Sequence, residues 1–265
     1  MANIAATLTF SECVENHAGM EMIGKKQTAG FTRHNLEHMK HRFIGMGGKP
    51  QIYDMACGNE TASVLVLRGG VDLLTGGKAD ALFEETLAQK FDTTFKNVRR
   101  SKPGAPCVQN KHGRHNNCYA DFAQKPEIAE GKGTVIDFVT CPIISELRKN
   151  LPLIVGYMGE GIYAETNKYY DVDKAQVGIG FHGDTERSIV IGARLGVASE
   201  KMPIRFQWYT RSKPCSEETV IPLGHGDMYI MEYKATGWDW MKSSKITLRH
   251  GSGRKAKVRT DVNSF

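Results

Sequence analysis

A histidine and an aspartate about two thirds of the way along the chain could bind a metal ion together. The stretch Gly178–Glu186 has the pattern of a strand that runs into a tight turn, and it carries His182 and Asp184. Side chains two residues apart on extended backbone project to the same side. An imidazole and a carboxylate presented together are two of the three ligands of a 2-His-1-carboxylate site, which holds Fe(II) on one face and leaves the other face open.

The third ligand of such a site would be a histidine far downstream. His250 is the candidate, because it ends the strand-like run Ile246–His250, 66 residues after Asp184. A His-x-Asp sequence also arises by chance. The alternative interpretation is a turn aspartate that caps its own backbone, next to a surface histidine.

Composition narrows the classes of protein to consider. The chain has 265 residues, a net charge of +6 and six cysteines, at positions 13, 57, 107, 118, 141 and 215, with no CxxC pair. This spacing argues against a zinc site and a disulfide framework, and it favours reduced thiols in an intracellular, cytoplasmic or nuclear setting. No apolar run of about 18 residues and no secretory signal is present, so no membrane partner is predicted.

The surrounding pattern predicts the elements that must position these residues. Ser63–Leu67 and 163–170 have strand patterns, while 78–91 and 141–150 have helical patterns. Further strand-like runs follow the His182 turn, at 188–195, 204–209, 218–223 and 227–231. Short strands at regular spacing behind helices predict an α+β fold, a double-stranded β-helix (jelly roll) with supporting helices on one sheet.

The first 60 residues carry fewer signals. A helix is predicted over 31–43, where His34, His38 and His41 share one face. No carboxylate or cysteine completes a metal site there, so a solvated basic face is the favoured interpretation. We therefore divide the chain into an N-terminal extension, 1–60, and a main domain, 61–265.

A second polar stretch has the composition of a nucleic-acid surface. The basic segment Lys96–Lys102 precedes a segment that contains Arg114, Tyr119 and Asp121. Cations, amides and an aromatic ring suit a surface that holds phosphate and stacks on a base. The alternative is an ordinary polar loop.

Several motifs, taken in order, resemble one family. They are Lys78–Glu85, Arg114 with Tyr119-Ala120-Asp121, Asn167-Lys168-Tyr169, His182–Glu186 and His225–Met231. From about residue 63 to the end, the chain resembles the AlkB family of Fe(II)/2-oxoglutarate dioxygenases. The resemblance implies a jelly-roll domain in which His182, Asp184 and His250 bind Fe(II).

The resemblance also assigns the co-substrates and their ligands. Asn167, Tyr169 and Arg259 would hold 2-oxoglutarate, with Arg254 as the alternative arginine, and O₂ would complete the metal site. The second arginine of the family pattern is replaced by Phe265. This departure affects the handling of substrate more than the binding of 2-oxoglutarate.

The substrate implied by the resemblance is an alkylated or methylated base in DNA or RNA. Tyr119 would stack on the base, Arg114 would contact backbone or base, Glu186 would contact an exocyclic amine, and Asp121 belongs to the same lid signature. A single-stranded or flipped base is the expected partner. Two alternatives stay open: a hydroxylase of a protein side chain, small molecule or C5-methyl pyrimidine, and a binding module with an inactive metal site.

Overall fold

The computed structural model describes residues 2–97 and 108–253. The strands are β1 (Ala5–Ser11), β2 (Cys13–Glu15), β3 (Met22–Gly24), β4 (Lys49–Cys57), β5 (Glu60–Arg68), β6 (Thr94–Lys96), β7 (Val108–Asn110), β8 (His115–Ala120), β9 (Val135–Asp137), β10 (Tyr163–Tyr169), β11 (Ile179–His182), β12 (Ile191–Leu195), β13 (Ile204–Thr210), β14 (Lys213–Pro214), β15 (Thr219–Ile221), β16 (Met228–Met231) and β17 (Thr247–Ser252). The α-helices are α1 (Arg33–Gly45), α2 (Gly70–Thr75), α3 (Ala79–Ala88), α4 (Pro142–Asn150) and α5 (Pro152–Val155).

Two sheets organise the described residues. The large sheet has eight strands in the order β4-β5-β16-β12-β1-β10-β8-β9. The small sheet has five, in the order β11-β17-β13-β14, with β15 also paired to β13. Short hairpins join β2 to β3 and β6 to β7. Pairing is antiparallel between neighbouring strands, apart from the parallel pair β8 and β9.

The two faces of the large sheet have different partners because side chains alternate along a strand. On β1, Ala6, Leu8 and Phe10 belong to the core that contains the buried side chains of the helices. Thr7 and Thr9 project to the opposite face and line a cleft. This face is therefore polar where the cleft lies.

A second core joins the two sheets. Val66 and Met231 of the large sheet pack in one cluster with Phe206 and Leu248 of the small sheet. The molecule thus has three layers, helices, large sheet and small sheet. The predicted combination of helices with a strand-rich antiparallel architecture is confirmed at this level.

The helices predicted at 31–43, 78–91 and 141–150 are present with slightly different ends. Helix α1 begins after Thr32, whose side chain accepts a hydrogen bond from the backbone of Asn35, while the Asn35 side chain accepts one from the backbone of Thr32. This reciprocal capping satisfies two amide groups that the first turn leaves unpaired. Leu36 and Phe43 then bury the inner face of the helix.

The predicted boundary at residue 60 is corrected by the sheet topology. Strand β1 lies inside the large sheet, between β10 and β12, and all seven of its residues are buried. Strand β4 pairs with β5 from Lys49–Arg68 to Cys57–Glu60, so the boundary falls at the turn of a hairpin. Residues 1–60 therefore supply strands to the same domain rather than forming an extension to it.

None of the α-helices within 2–97 and 108–253 is both long enough and apolar enough to cross a membrane.

Candidate metal centre

The structure brings together the three residues that the sequence nominated as metal ligands. His182 and His250 are opposite each other on the antiparallel strands β11 and β17. Asp184 Oδ1 lies 3.5 Å from His182 Nε2, and Asp184 Oδ2 lies 3.7 Å from His250 Nε2. One ligand atom from each residue lies within 4.8 Å of the others, so the group could hold a metal ion.

The turn that carries Asp184 is held in place because its backbone lies close to the backbone of residues 236–237. The Asp184 amide donates a hydrogen bond of 2.8 Å to the Thr236 carbonyl. A Cβ at position 183 would lie 2.1 Å from the Gly237 carbonyl oxygen. Only glycine fits between the two turns, and this contact sets the direction in which the carboxylate points.

A backbone contact orients the ring of His182, and burial favours the neutral, metal-binding ring of His250. His182 Nδ1 lies 2.8 Å from the Gly180 carbonyl, and donation of its proton there would leave the Nε2 lone pair facing Asp184. Burial lowers the pKa of His250 well below its usual range, and the nearby His182 and Arg187 lower it further. A neutral imidazole is the form that ligates a metal.

The donor set fits a single divalent transition-metal ion. Ligand bonds of about 2.0–2.2 Å place two ligands of one ion at most roughly 4.4 Å apart. The oxygen–nitrogen separations of 3.5 and 3.7 Å fall inside that limit. Two imidazoles and one carboxylate on one side match the facial arrangement of Fe(II) oxygenases.

The candidate metal ligands line a cleft of about 830 Å³, which we call the central cleft. Four further residues nominated from the sequence, Arg114, Asn167, Tyr169 and Glu186, line the same cleft. Its volume lies in the range of small-molecule sites. The central cleft therefore unites the predicted metal ligands with two predicted cofactor residues and two predicted substrate residues.

The other two predicted substrate residues lie elsewhere. Tyr119 pairs with Ala164 on the helix-facing side of the large sheet, where it is fully buried and stacks on Phe138. Burial raises the pKa of its phenol, whose oxygen lies 3.2 Å from Thr166 Oγ1. The prediction that Tyr119 stacks on a base is wrong because the residue points to the other face of β8.

Asp121 has a different partner from the one predicted. It follows the end of β8, is exposed, and forms an ion pair with Arg148, whose Nη2 lies 2.9 Å from its Oδ2. This bridge holds the pKa of the Asp121 carboxyl below its usual range. Asp121 does not line the central cleft, and its predicted contact with substrate stays a prediction. Arg254 and Arg259, the predicted anchors of 2-oxoglutarate, lie outside the described residues, as does Phe265.

A chain of hydrogen bonds crosses the central cleft. Arg114 Nε donates to Asn167 Oδ1, and Asn167 Nδ2 donates to Glu165 Oε1 at 2.9 Å. Glu165 in turn accepts from Arg187 Nη2 at 3.0 Å, and both members of this pair are buried. Asn167 is thus held in one orientation by partners on both sides.

The same chain reaches the candidate metal ligands. Arg187 Nε lies 3.3 Å from Glu186 Oε1 and 4.0 Å from Asp184 Oδ2. Burial raises the pKa of Glu186, and the nearby Asp184 charge raises it further. Arg187 therefore balances the charges of three carboxylates, those of Glu165, Asp184 and Glu186. The sequence analysis did not identify Arg187 as a functional residue.

Sequence reasoning also missed Arg194, on β12. Its side chain is 1% exposed and lines the central cleft. In the register of the large sheet, Arg194 lies opposite Thr7, which lies opposite Asn167. The signal in the sequence was one cation inside the apolar strand pattern of 188–195. A cation at such a position needs an anionic partner, and the sequence did not specify one.

An aromatic pair lies at one side of the central cleft. The rings of His17 and Phe95 stack with centroids 3.7 Å apart, and both residues line the central cleft and an adjoining cavity of about 480 Å³. Lys111 and His112 also line the adjoining cavity. Burial, together with the Arg114 and Lys111 charges, lowers the pKa of His17 to about 4.

Comparison with known proteins finds a viral relative. The uncharacterized protein R156 of Acanthamoeba polyphaga mimivirus is 36% identical over 255 residues, which cover 93% of this chain and 94% of that protein. No family model matches the sequence. No solved structure matches it either.

Proposed function

The chain belongs to the same family as the mimivirus protein R156, and we propose that it is an Fe(II)/2-oxoglutarate-dependent dioxygenase of AlkB-like architecture. The observation that carries the proposal is the convergence of His182, Asp184 and His250 on the wall of one cleft. In this proposal, the two facing sheets correspond to a jelly roll. Such a fold presents a facial triad at the open end of its barrel.

Each residue has a defined task in this proposal. His182, Asp184 and His250 would hold the iron through two imidazoles and one carboxylate. Asn167 and Tyr169 line the volume beside the metal ligands, where 2-oxoglutarate would lie. With 2-oxoglutarate and O₂, the bound iron supplies the oxidation of a C–H bond and the release of succinate and CO₂.

A nucleobase is the substrate that the surroundings favour. The stacked His17 and Phe95 provide an aromatic surface beside the central cleft, and Arg114 adds a cation on the same wall. Bases stack on aromatic rings while cations bind the phosphates. Hydroxylation of an N-methyl group on such a base would release formaldehyde, and the net charge of +6 suits a polyanionic partner.

The test combines turnover with product identification. We expect succinate release, dependent on Fe(II) and 2-oxoglutarate, to rise with single-stranded oligonucleotides that carry methylated bases. Mass spectrometry should show the loss of one methyl group or the gain of one oxygen. His250→Ala should abolish this release, whereas His225→Ala, outside the central cleft, is the matched control. If succinate release does not rise with oligonucleotides but rises with peptides or small molecules, the protein is a hydroxylase of another substrate. Absence of metal binding would refute the proposal.

A further inference from the structure

Arg194 carries a buried charge with few partners. Its Nη2 donates to Ser252 Oγ at 3.1 Å, whereas its Nε and Nη1 have no hydrogen-bond partner among the described residues. A guanidinium has five donor hydrogens, and buried polar groups in folded proteins nearly always find partners. The arginine therefore has spare donors at a position that water reaches poorly.

The charge of Arg194 is also unbalanced. Within 2–97 and 108–253, no carboxylate oxygen forms an ion pair with it, although Arg187, which is also buried, pairs with Glu165 at 3.0 Å. A buried ion without a counter-ion is costly. A protein that keeps such a cation in a cleft is prepared for an anion that is not part of the described chain.

The groups around Arg194 show where that anion would lie relative to the candidate metal ligands. Ser252, its hydrogen-bond partner, lies two residues beyond His250 on β17, which corresponds to about 7 Å along the strand. The neighbouring Thr7 Oγ1 is also buried, has no hydrogen-bond partner within 2–97 and 108–253, and belongs to the same cleft. The Tyr169 ring centroid lies 5.7 Å from the guanidinium carbon.

We propose that Arg194 binds the far carboxylate of 2-oxoglutarate, an inference that rests on the proposed function. A chain of five carbons with bonds of about 1.5 Å spans roughly 5 Å. One end can therefore lie at the candidate metal ligands while the other reaches Arg194. The spare Nε and Nη1 donors suit a carboxylate, and the Thr7 hydroxyl can donate a further hydrogen bond. This assigns to β12 the role that the family resemblance implies for Arg259.

The experiment measures metal and 2-oxoglutarate binding separately. Calorimetry with Mn(II) and then with 2-oxoglutarate is performed on the full chain, as wild type, Arg194→Met, Arg194→Lys and the control Arg205→Met. Arg205, on β13, pairs with Glu218 at 2.6 Å and does not line the central cleft. We expect Arg194→Met to weaken 2-oxoglutarate binding by roughly 30-fold or more. Arg194→Lys should give an intermediate loss, and Mn(II) affinity should be unchanged in both variants.

The melting temperature distinguishes two roles for Arg194, a ligand-binding residue and a cation that stabilises the fold. Metal-free Arg194→Met should melt at the wild-type temperature or above it, because the substitution removes an unbalanced buried charge. A lower melting temperature would assign Arg194 a structural role and overturn the inference. The inference fails and the proposed function stands if Arg194→Met binds Mn(II) and 2-oxoglutarate as tightly as wild type does. The same conclusion follows if Arg259→Met, and not Arg194→Met, weakens 2-oxoglutarate binding. If wild type binds neither, both fail.

Discussion

His182 and His250 face each other across β11 and β17, with ring centroids 4.4 Å apart. The candidate metal centre is therefore built by strand register as well as by the His-x-Asp turn. A shift of one residue in this pairing would turn His250 to the other face of the small sheet. On its other side, β17 pairs with β13, where Phe206 is opposite His250, and this second pairing helps to hold the register.

The first prediction concerns metal binding at this pair. Wild-type protein should be stabilised by Co(II) or Mn(II), by about 2.7 kcal/mol when the free metal is 100 times its dissociation constant. His182→Ala, Asp184→Ala and His250→Ala should each lose this stabilisation, because each removes one of three ligands. Thermal unfolding with and without metal is the measurement. His225→Ala should respond as wild type does, and a normal response from His250→Ala would contradict the assignment.

The second prediction contrasts the two buried arginines of the central cleft. Arg187→Met leaves Glu165 buried without its cation, so it should cost roughly 3–5 kcal/mol of unfolding free energy. Arg194→Met strands no carboxylate among the described residues and should cost nothing. Urea unfolding of both metal-free variants tests the contrast. Equal losses would show that Arg194 has a structural counter-ion.

The sequence was sufficient to nominate the three candidate metal ligands because each lies in a segment whose own pattern is visible. His182 and Asp184 lie on one turn, and His250 lies on a strand whose pattern is visible. The prediction that Tyr119 stacks on a base was wrong for a reason that the local sequence pattern cannot reveal. Its strand is buried on both faces, so alternation does not show which side faces the cleft, and only its register with Ala164 decides.

The rest of the site depended on contacts between distant segments. Strand β1 joins Asn167 to Arg194 through Thr7, yet its short run of small and apolar residues does not by itself indicate a central strand. Arg194 was visible as a cation in an apolar strand, but its significance comes from the absence of a carboxylate nearby in the described structure. Such an absence becomes apparent only when the three-dimensional neighbours are known.

The third prediction concerns the stability of the protein in acid. His17 has a pKa of about 4 in the folded chain against an ordinary value of 6.5, so between these values only the unfolded chain gains its proton. This group should therefore reduce stability as the pH falls from 6.5 to 4, by on the order of 1–3 kcal/mol. His17→Phe keeps a ring against Phe95 and should lack this loss. Urea unfolding at pH 7 and pH 4.5 tests it, and parallel losses in both proteins would contradict the prediction.

The last prediction replaces Tyr119 as the stacking residue with Phe95. Phe95 stacks on His17 beside the central cleft, whereas Tyr119 is buried against Phe138. A base stacked on an aromatic ring contributes about 1–3 kcal/mol, so Phe95→Ala should weaken binding of a methylated single-stranded oligonucleotide by that amount. The matched variant Tyr119→Phe keeps the core ring, loses the buried hydroxyl that contacts Thr166, and should bind as wild type does.

The same binding assay distinguishes base stacking from general attraction to charge. Phosphate contacts make affinity fall with salt, by about 0.7 log units per log unit of salt for each phosphate neutralised on a single strand. Phe95→Ala should lower affinity at every salt concentration without changing this slope, since the ring carries no charge. Arg114→Met should reduce the slope instead, although Arg114 also holds Asn167. If Phe95→Ala binds as tightly as wild type while Tyr119→Phe does not, the stacking surface lies elsewhere and a nucleobase would lose its main structural support as the substrate.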